Sequence, residues 1–128
     1  MTKFDKIEFK EVDCFNRVFH LGINGKYHSV EFWKEISKDG NLRRQLEKIS
    51  SRLQDVSQGL KLPQNKFRDI TNDNSVNRLC EVKTDNLRLY LIKDTSNVIY
   101  LLLLGGKKGE QKKDIDKAKR IFNDFNAS

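Results

Sequence analysis

The segment Arg78–Asp94, "RLCEVKTDNLRLYLIKD", reads as two strands joined at Asp85-Asn86. Side chains alternate across a strand. In the first strand Cys80 and Val82 point one way and Glu81 and Lys83 the other; in the second, Leu87, Leu89 and Leu91 oppose Arg88 and Tyr90. A loop that sets Lys83 across from Arg88 also sets Glu81 across from Tyr90. One residue more or fewer would push Glu81 and Lys83 among the leucines, so the buried face selects the first register. A two-residue turn at Asp85-Asn86 or a four-residue loop satisfies it, and both turn residues tolerate a left-handed backbone. The expected hairpin has a leucine face and a flat or concave polar face carrying Glu81, Lys83, Arg88 and Tyr90.

The next stretch, "NVIYLLLL" (97–104), is apolar from Val98 onward except for a tyrosine hydroxyl, and reads as a central strand buried on both faces. It runs into Gly105-Gly106, after which six lysines and one arginine fall within fourteen residues (107–120). Glycines let backbone N–H groups approach an anion, and Lys107 and Lys108 supply charge. The spacing and the Lys-Ser/Thr pair of a P-loop are missing. "DIDKAKRIFNDF" (114–125) predicts a helix with Ile115, Ala118, Phe122 and Phe125 as its stripe and Asp114 as its cap.

Towards the N-terminus, "KIEFKEV" (6–12) and "FNRVFHLGI" (15–23) predict two paired strands, followed by a turn at Asn24-Gly25. "SVEFWKEIS" (29–37) predicts a helix capped by Ser29, and Asp39-Gly40 breaks it. Leu42, Leu46, Ile49, Leu53, Val56 and Leu60 alternate steps of four and three, which predicts a helix over 41–60 ended by Gly59 and Pro63. Arg43, Arg44, Lys48 and Arg52 lie off that stripe, as a solvated face or as the wall of a groove for an anion. "NKFRDITNDNSVN" (65–77) reads as a polar loop after a short Phe67 contact. The expectation is a single α+β domain over 1–128, with its helices on one side of a largely antiparallel sheet.

Of the 128 residues, 37% are apolar, enough for one modest core, and Lys plus Arg exceed Asp plus Glu by 25 to 18, a net charge of +7. That charge suits a polyanionic partner such as nucleic acid, an anionic membrane or an acidic protein, or simply a solvated basic surface. No apolar run is long enough to span a membrane, and "MTKFDKIEFKEV" lacks the apolar core of a signal peptide, so a cytoplasmic protein with no membrane partner is expected. Cys14 and Cys80 are isolated, and His20 and His28 have no metal-binding spacing, so neither a metal nor another cofactor is expected.

Several of these pieces resemble the RelE/ParE superfamily of toxins from bacterial type II toxin–antitoxin pairs, nearest the HigB-like, phage-related branch. "SVEFWKEI" resembles the family's first-helix motif, and the 41–60 helix completes its helical hairpin. "CEVK" stands where the family often has Glu-Leu-Arg, and "LRLYLI" resembles its Tyr-Arg-x-x-Tyr-like strand. "LLLLGGKKGEQKKDIDKAK" resembles its closing pattern. The resemblance covers roughly 28–125 and leaves 1–27 longer than the family's usual single strand.

The resemblance implies a RelE-like fold with two helices on one face of a small antiparallel-dominated sheet and a C-terminal helix. It also implies a ribosome-dependent mRNA endoribonuclease that inhibits translation, partnered by an antitoxin, often of the helix-turn-helix type. Arg88 matches the family's phosphate-contacting arginine, Lys83 the basic residue on the preceding strand, and Lys107 and Lys108 the closing basic pair. Cleavage through 2′-OH attack needs a base, a cation at the phosphate and an acid for the leaving oxygen, and it needs no metal. The catalytic set expected is Lys83, Arg88, Tyr90, Glu81 and Lys108. Lys107, Lys108, Lys112, Lys113, Arg43 and Arg44 are expected to meet RNA and the ribosome. The terminal helix lacks the His or Tyr that several members use, which leaves Asp114, Glu81 and Tyr90 for proton transfer. It also keeps open a ParE-like toxin that inhibits DNA gyrase without cleaving RNA, or a nucleic-acid-binding domain that kept only the fold.

Overall fold

The computed structural model describes residues 1–128. The chain runs β1 (Phe4–Glu8), β2 (Val18–Ile23), α1 (His28–Ser37), α2 (Arg43–Ser57), β3 (Phe67–Asp69), β4 (Arg78–Lys83), β5 (Leu87–Asp94), β6 (Ile99–Lys107) and, after a 3-10 turn at Lys108–Glu110, α3 (Gln111–Asn126). The strands form one six-stranded sheet in the order β1-β2-β6-β5-β4-β3. All neighbours are antiparallel except β2 and β6, which run parallel, so the fold is α+β with a mixed sheet.

The helices do not share one side of the sheet as expected. Phe32, Trp33 and Ile36 of α1 and Leu46, Ile49, Leu53 and Val56 of α2 pack on Val18, Val82, Leu87, Leu89, Leu91 and Leu102. Ala118 and Phe122 of α3 pack on the opposite face, against Leu79, Tyr90, Ile92, Leu101, Leu103 and Leu104. The reason lies in β6. Its leucines are apolar at every position, so both faces need cover, and the C-terminal helix supplies the second layer.

The hairpin takes the expected register, with Glu81 across from Tyr90 and Lys83 across from Arg88. Thr84 N–H donates to Leu87 O at 3.0 Å, which leaves a two-residue turn at Asp85-Asn86. Neither turn residue has a positive φ. The turn is held by α2 instead: Gln45 Oε1 accepts from Thr84 Oγ1 (2.5 Å) and from Asn86 N–H (2.8 Å). The expected turn at Asn24-Gly25 does form, with a left-handed backbone at both residues (φ of 50° and 83°).

Four further differences are local. Ser29 is not a cap; the helix begins at His28, and the Ser29 hydroxyl is buried against His20 Nδ1 (2.7 Å) and Leu102 O (3.3 Å). Asp114 lies inside the first turn of α3, whose N-cap is Glu110. Leu60 falls outside α2: Gly59 (φ 86°) turns the chain, and Leu60 N–H closes back on Asp55 O at 3.0 Å, a Schellman end. The segment expected as a loop contains β3, three residues paired to β4 with Arg68 across from Glu81.

Candidate nucleic-acid interface

Gly105 and Gly106 lie within β6, not in a loop that could cradle an anion. A bulge in the β5–β6 pairing between Tyr90 and Leu91 puts Leu103 and Leu104 into the same α3-side cluster. The following glycines then face opposite helices. A β-carbon at Gly105 would sit 2.6 Å from the Phe32 ring of α1, and one at Gly106 would collide with Asp114 Oδ2 of α3. Their smallness therefore serves close helix approach on both sides. Asp114 thus lies over the residue that pairs with Arg88.

The polar hairpin face is accordingly roofed by the start of α3 rather than open. Glu81 and Tyr90 are fully buried and Arg88 is 7% exposed. Glu81 Oε1 takes Arg68 Nη2 at 3.1 Å and Lys83 Nζ at 3.9 Å, while Gln111 Nε2 donates to its Oε2 at 2.8 Å. Arg88 Nη1 donates to Thr84 O (2.6 Å) and Leu87 O (2.8 Å), so one guanidinium nitrogen bridges the carbonyls of the hairpin turn. Arg88 Nε, Tyr90 Oη, Asp114 Oδ2 and Arg68 Nε have no hydrogen-bond partner within the chain. Burial, reinforced by the Glu81 carboxylate, pushes the Tyr90 phenol well above its ordinary range. Burial and the neighbouring Glu110 raise Asp114 against the opposing pull of Lys113 and Lys117, which favours its protonated form.

The exposed cations gather around the Asp85-Asn86 turn. Lys107 pairs with Leu87, and Lys108 N–H donates to Asn86 O at 2.8 Å. Gln45 ties the start of α2, with exposed Arg43 and Arg44, to the same turn. Lys83 is partly exposed, and its backbone N–H donates to Lys66 O at 2.9 Å, which brings a further lysine to this end. Lys112 and Lys113 are exposed on α3, in a shallow depression shared with Glu110, Asp116 and Arg120, where the two acids dilute their charge. The expected set is thus divided. Lys107, Lys108, Arg43 and Arg44 form an open rim with Lys83 at its edge, while Glu81, Arg88 and Tyr90 lie beneath it.

Four contributors escape sequence reading. Gln45 carries no pattern signal, Gln111 enters only as part of the closing-pattern resemblance with no role given to it, Arg68 lies in the unrecognised β3, and Lys66 reads as an ordinary loop lysine. No three His, Cys, Asp or Glu side chains cluster as metal ligands, and no helix is long and apolar enough to cross a membrane. Cys14 and Cys80 are buried free thiols. No family model matches the chain, and no curated protein or solved structure matches it either.

Proposed function

We propose that this chain is the toxin of a type II toxin–antitoxin pair and acts on ribosome-bound mRNA as a metal-independent endoribonuclease. The observation that carries the reading is the gathering of Lys83, Lys107 and Lys108 around one hairpin turn, with Arg88 and Asp114 beneath them. The order β2, α1, α2, β4, β5, β6 and α3 also agrees with the resemblance to RelE/ParE toxins, with β1 and β3 additional to it. Lys107 and Lys108 meet the phosphate, and Lys83 adds a cation at the rim. Asp114, 9% exposed with Oδ2 against Gly106, supports the rim from below. Arg88 is a positioning residue: it holds the carbonyls of the turn on which the lysines stand. The protein partner is an antitoxin, of the helix-turn-helix type common in such pairs.

The test is primer extension on mRNA incubated with ribosomes and the purified protein. The parent is expected to cut, and Lys107→Ala/Lys108→Ala to cut at least tenfold more slowly with an unchanged circular dichroism spectrum. No cutting by the parent rejects the nuclease. The burial of Glu81, Arg88 and Tyr90 favours a second reading, a ParE-like toxin that blocks DNA gyrase by binding, because those groups do not meet a substrate at the surface. A gyrase supercoiling assay with the same preparation separates the two.

A further inference from the structure

The outer side of α2 faces the 62–66 segment across an open groove of about 590 Å³, lined by Arg44, Glu47, Lys48, Ser51, Arg52, Asp55, Leu62 and Lys66. Arg44, Lys48 and Arg52 recur every fourth residue, so they stand in one row with steps of about 6 Å along the helix axis. Lys66 faces them from the other wall. The ion pairs of the molecule are Arg68–Glu81, Arg78–Asp69 and Lys83–Glu81, so none of these four cations is paired. Glu47 and Asp55 in the groove offset two of the four cations and leave a cationic excess, and Asp85 at the hairpin turn is the acid that acts on Arg52. Arg52 Nη1 is buried and has no hydrogen-bond partner. Gln45, next to Arg44, holds the start of the row to the hairpin turn, and Lys66 O accepts from Lys83 N–H. The groove is therefore continuous with the basic rim.

We propose that this groove binds the sugar–phosphate backbone of an RNA strand and leads it to the rim formed by Lys83, Lys107 and Lys108. The inference rests on the RNA-directed reading above and adds a surface to it. An unpaired cationic row matches a run of phosphates, and exposed Arg44 and Lys48 stand open to donate to them. The groove carries no aromatic side chain on which a base could stack, and Leu62 is its one apolar member. It therefore holds the backbone without reading bases.

The experiment is fluorescence anisotropy of the full chain with labelled twelve-nucleotide oligo-U and oligo-A RNAs, titrated at several salt concentrations. Three proteins are compared: the parent, Lys48→Ala/Lys66→Ala, and Lys3→Ala/Lys10→Ala, which removes the same charge near β1 at the opposite edge of the sheet. The groove variant is expected to bind at least tenfold more weakly. Its log–log salt slope should be shallower by about 1.4, the value for two lost phosphate contacts on a single strand. The control should stay near the parent, and the two RNAs should bind alike. Equal weakening by groove and control variants would reduce the effect to net charge and overturn the groove. So would tight binding of ATP alone at the strength of the RNA, or a groove variant indistinguishable from a parent that does bind RNA. A parent that binds neither RNA would remove the RNA-directed reading itself, and the groove with it.

Discussion

The two faces of the β4–β5–β6 sheet use the same strands and are equally buried, yet they are filled differently. On the α1/α2 side, Leu87, Leu89, Leu91 and Leu102 are fully buried among apolar neighbours. On the α3 side the half away from the hairpin turn is also apolar, through Ile92, Leu101 and Leu103. Towards the turn, Glu81, Arg88 and Asp114 take the place of such side chains. Apolar packing is non-directional and tolerates swaps that conserve volume. A buried charge depends on each of its partners, and losing one leaves the rest desolvated and unpaired. The comparison teaches that the polar half, which lies under the proposed RNA rim, is where the fold is most easily broken.

The largest expected effect tests that directly. Glu81→Ala removes the one carboxylate that holds Arg68, Lys83 and Gln111. It should cost about 2–5 kcal/mol in urea unfolding, chiefly through the cavity left at a fully buried site, since Arg68 and Lys83 stay partly solvated. Leu89→Met, at an equally buried site on the other face, should cost under about 1.5 kcal/mol. Similar losses for the two would erase the distinction between the faces. Arg88→Ala belongs with Glu81→Ala, because it leaves Thr84 O without a donor, while Leu87 O keeps the Thr84 N–H. Any loss of the proposed RNA cleavage in that variant is read only beside its urea midpoint.

A smaller effect separates the faces through their glycines. Gly105→Ala and Gly106→Ala should each cost about 1–3 kcal/mol by overpacking. The partners differ: Phe32 on one side, Asp114 on the other. Asp114→Ala should recover part of the Gly106→Ala loss and none of the Gly105→Ala loss, while Phe32→Leu should do the reverse. Thermal melts of the four double variants would read this as coupling within a pair and additivity across pairs.

These glycines also mark how far the sequence could be read. The hairpin register was legible because slipping it by one residue would have buried Lys83 and Glu81 among leucines. The α2 stripe and the two-sided burial of β6 were legible for similar reasons of period. What lay beyond reach was decided by contacts between segments distant in sequence. A bulge that turns Gly105 towards α1 and Gly106 towards α3 leaves no mark on the residues themselves. β3 has three residues and two charges, too short to show alternation, and it forms because β4 offers an edge. Ser29 stands where a cap is common, but a buried histidine from β2 claims its hydroxyl. The polar face was correctly assembled and wrongly left open, because a helix whose own stripe looked satisfied by the core was not placed across it.

The smallest effect opposes the faces in their response to pH. His20, on the α1 side, is held down to about 4 by burial, against 6.5 for a free imidazole. Between those values the unfolded chain binds the proton that the folded chain refuses, so stability falls as pH drops through that window. Asp114, on the α3 side, is raised by burial above its ordinary 3.8. The folded chain there holds a proton that the unfolded one has released, so this contribution is greatest in acid and is lost as pH rises through the folded value. Asp114→Asn, which stays uncharged, should therefore match the parent at low pH and exceed it at neutral pH. His20→Asn keeps a donor near the position of Nδ1 and should remove the loss between pH 6.5 and 4, whatever its packing cost. Urea midpoints measured at intervals from pH 4 to pH 7.5 would show the two variants departing from the parent with opposite slopes. If the two differences slope the same way with pH, the raised carboxyl under α3 is misassigned.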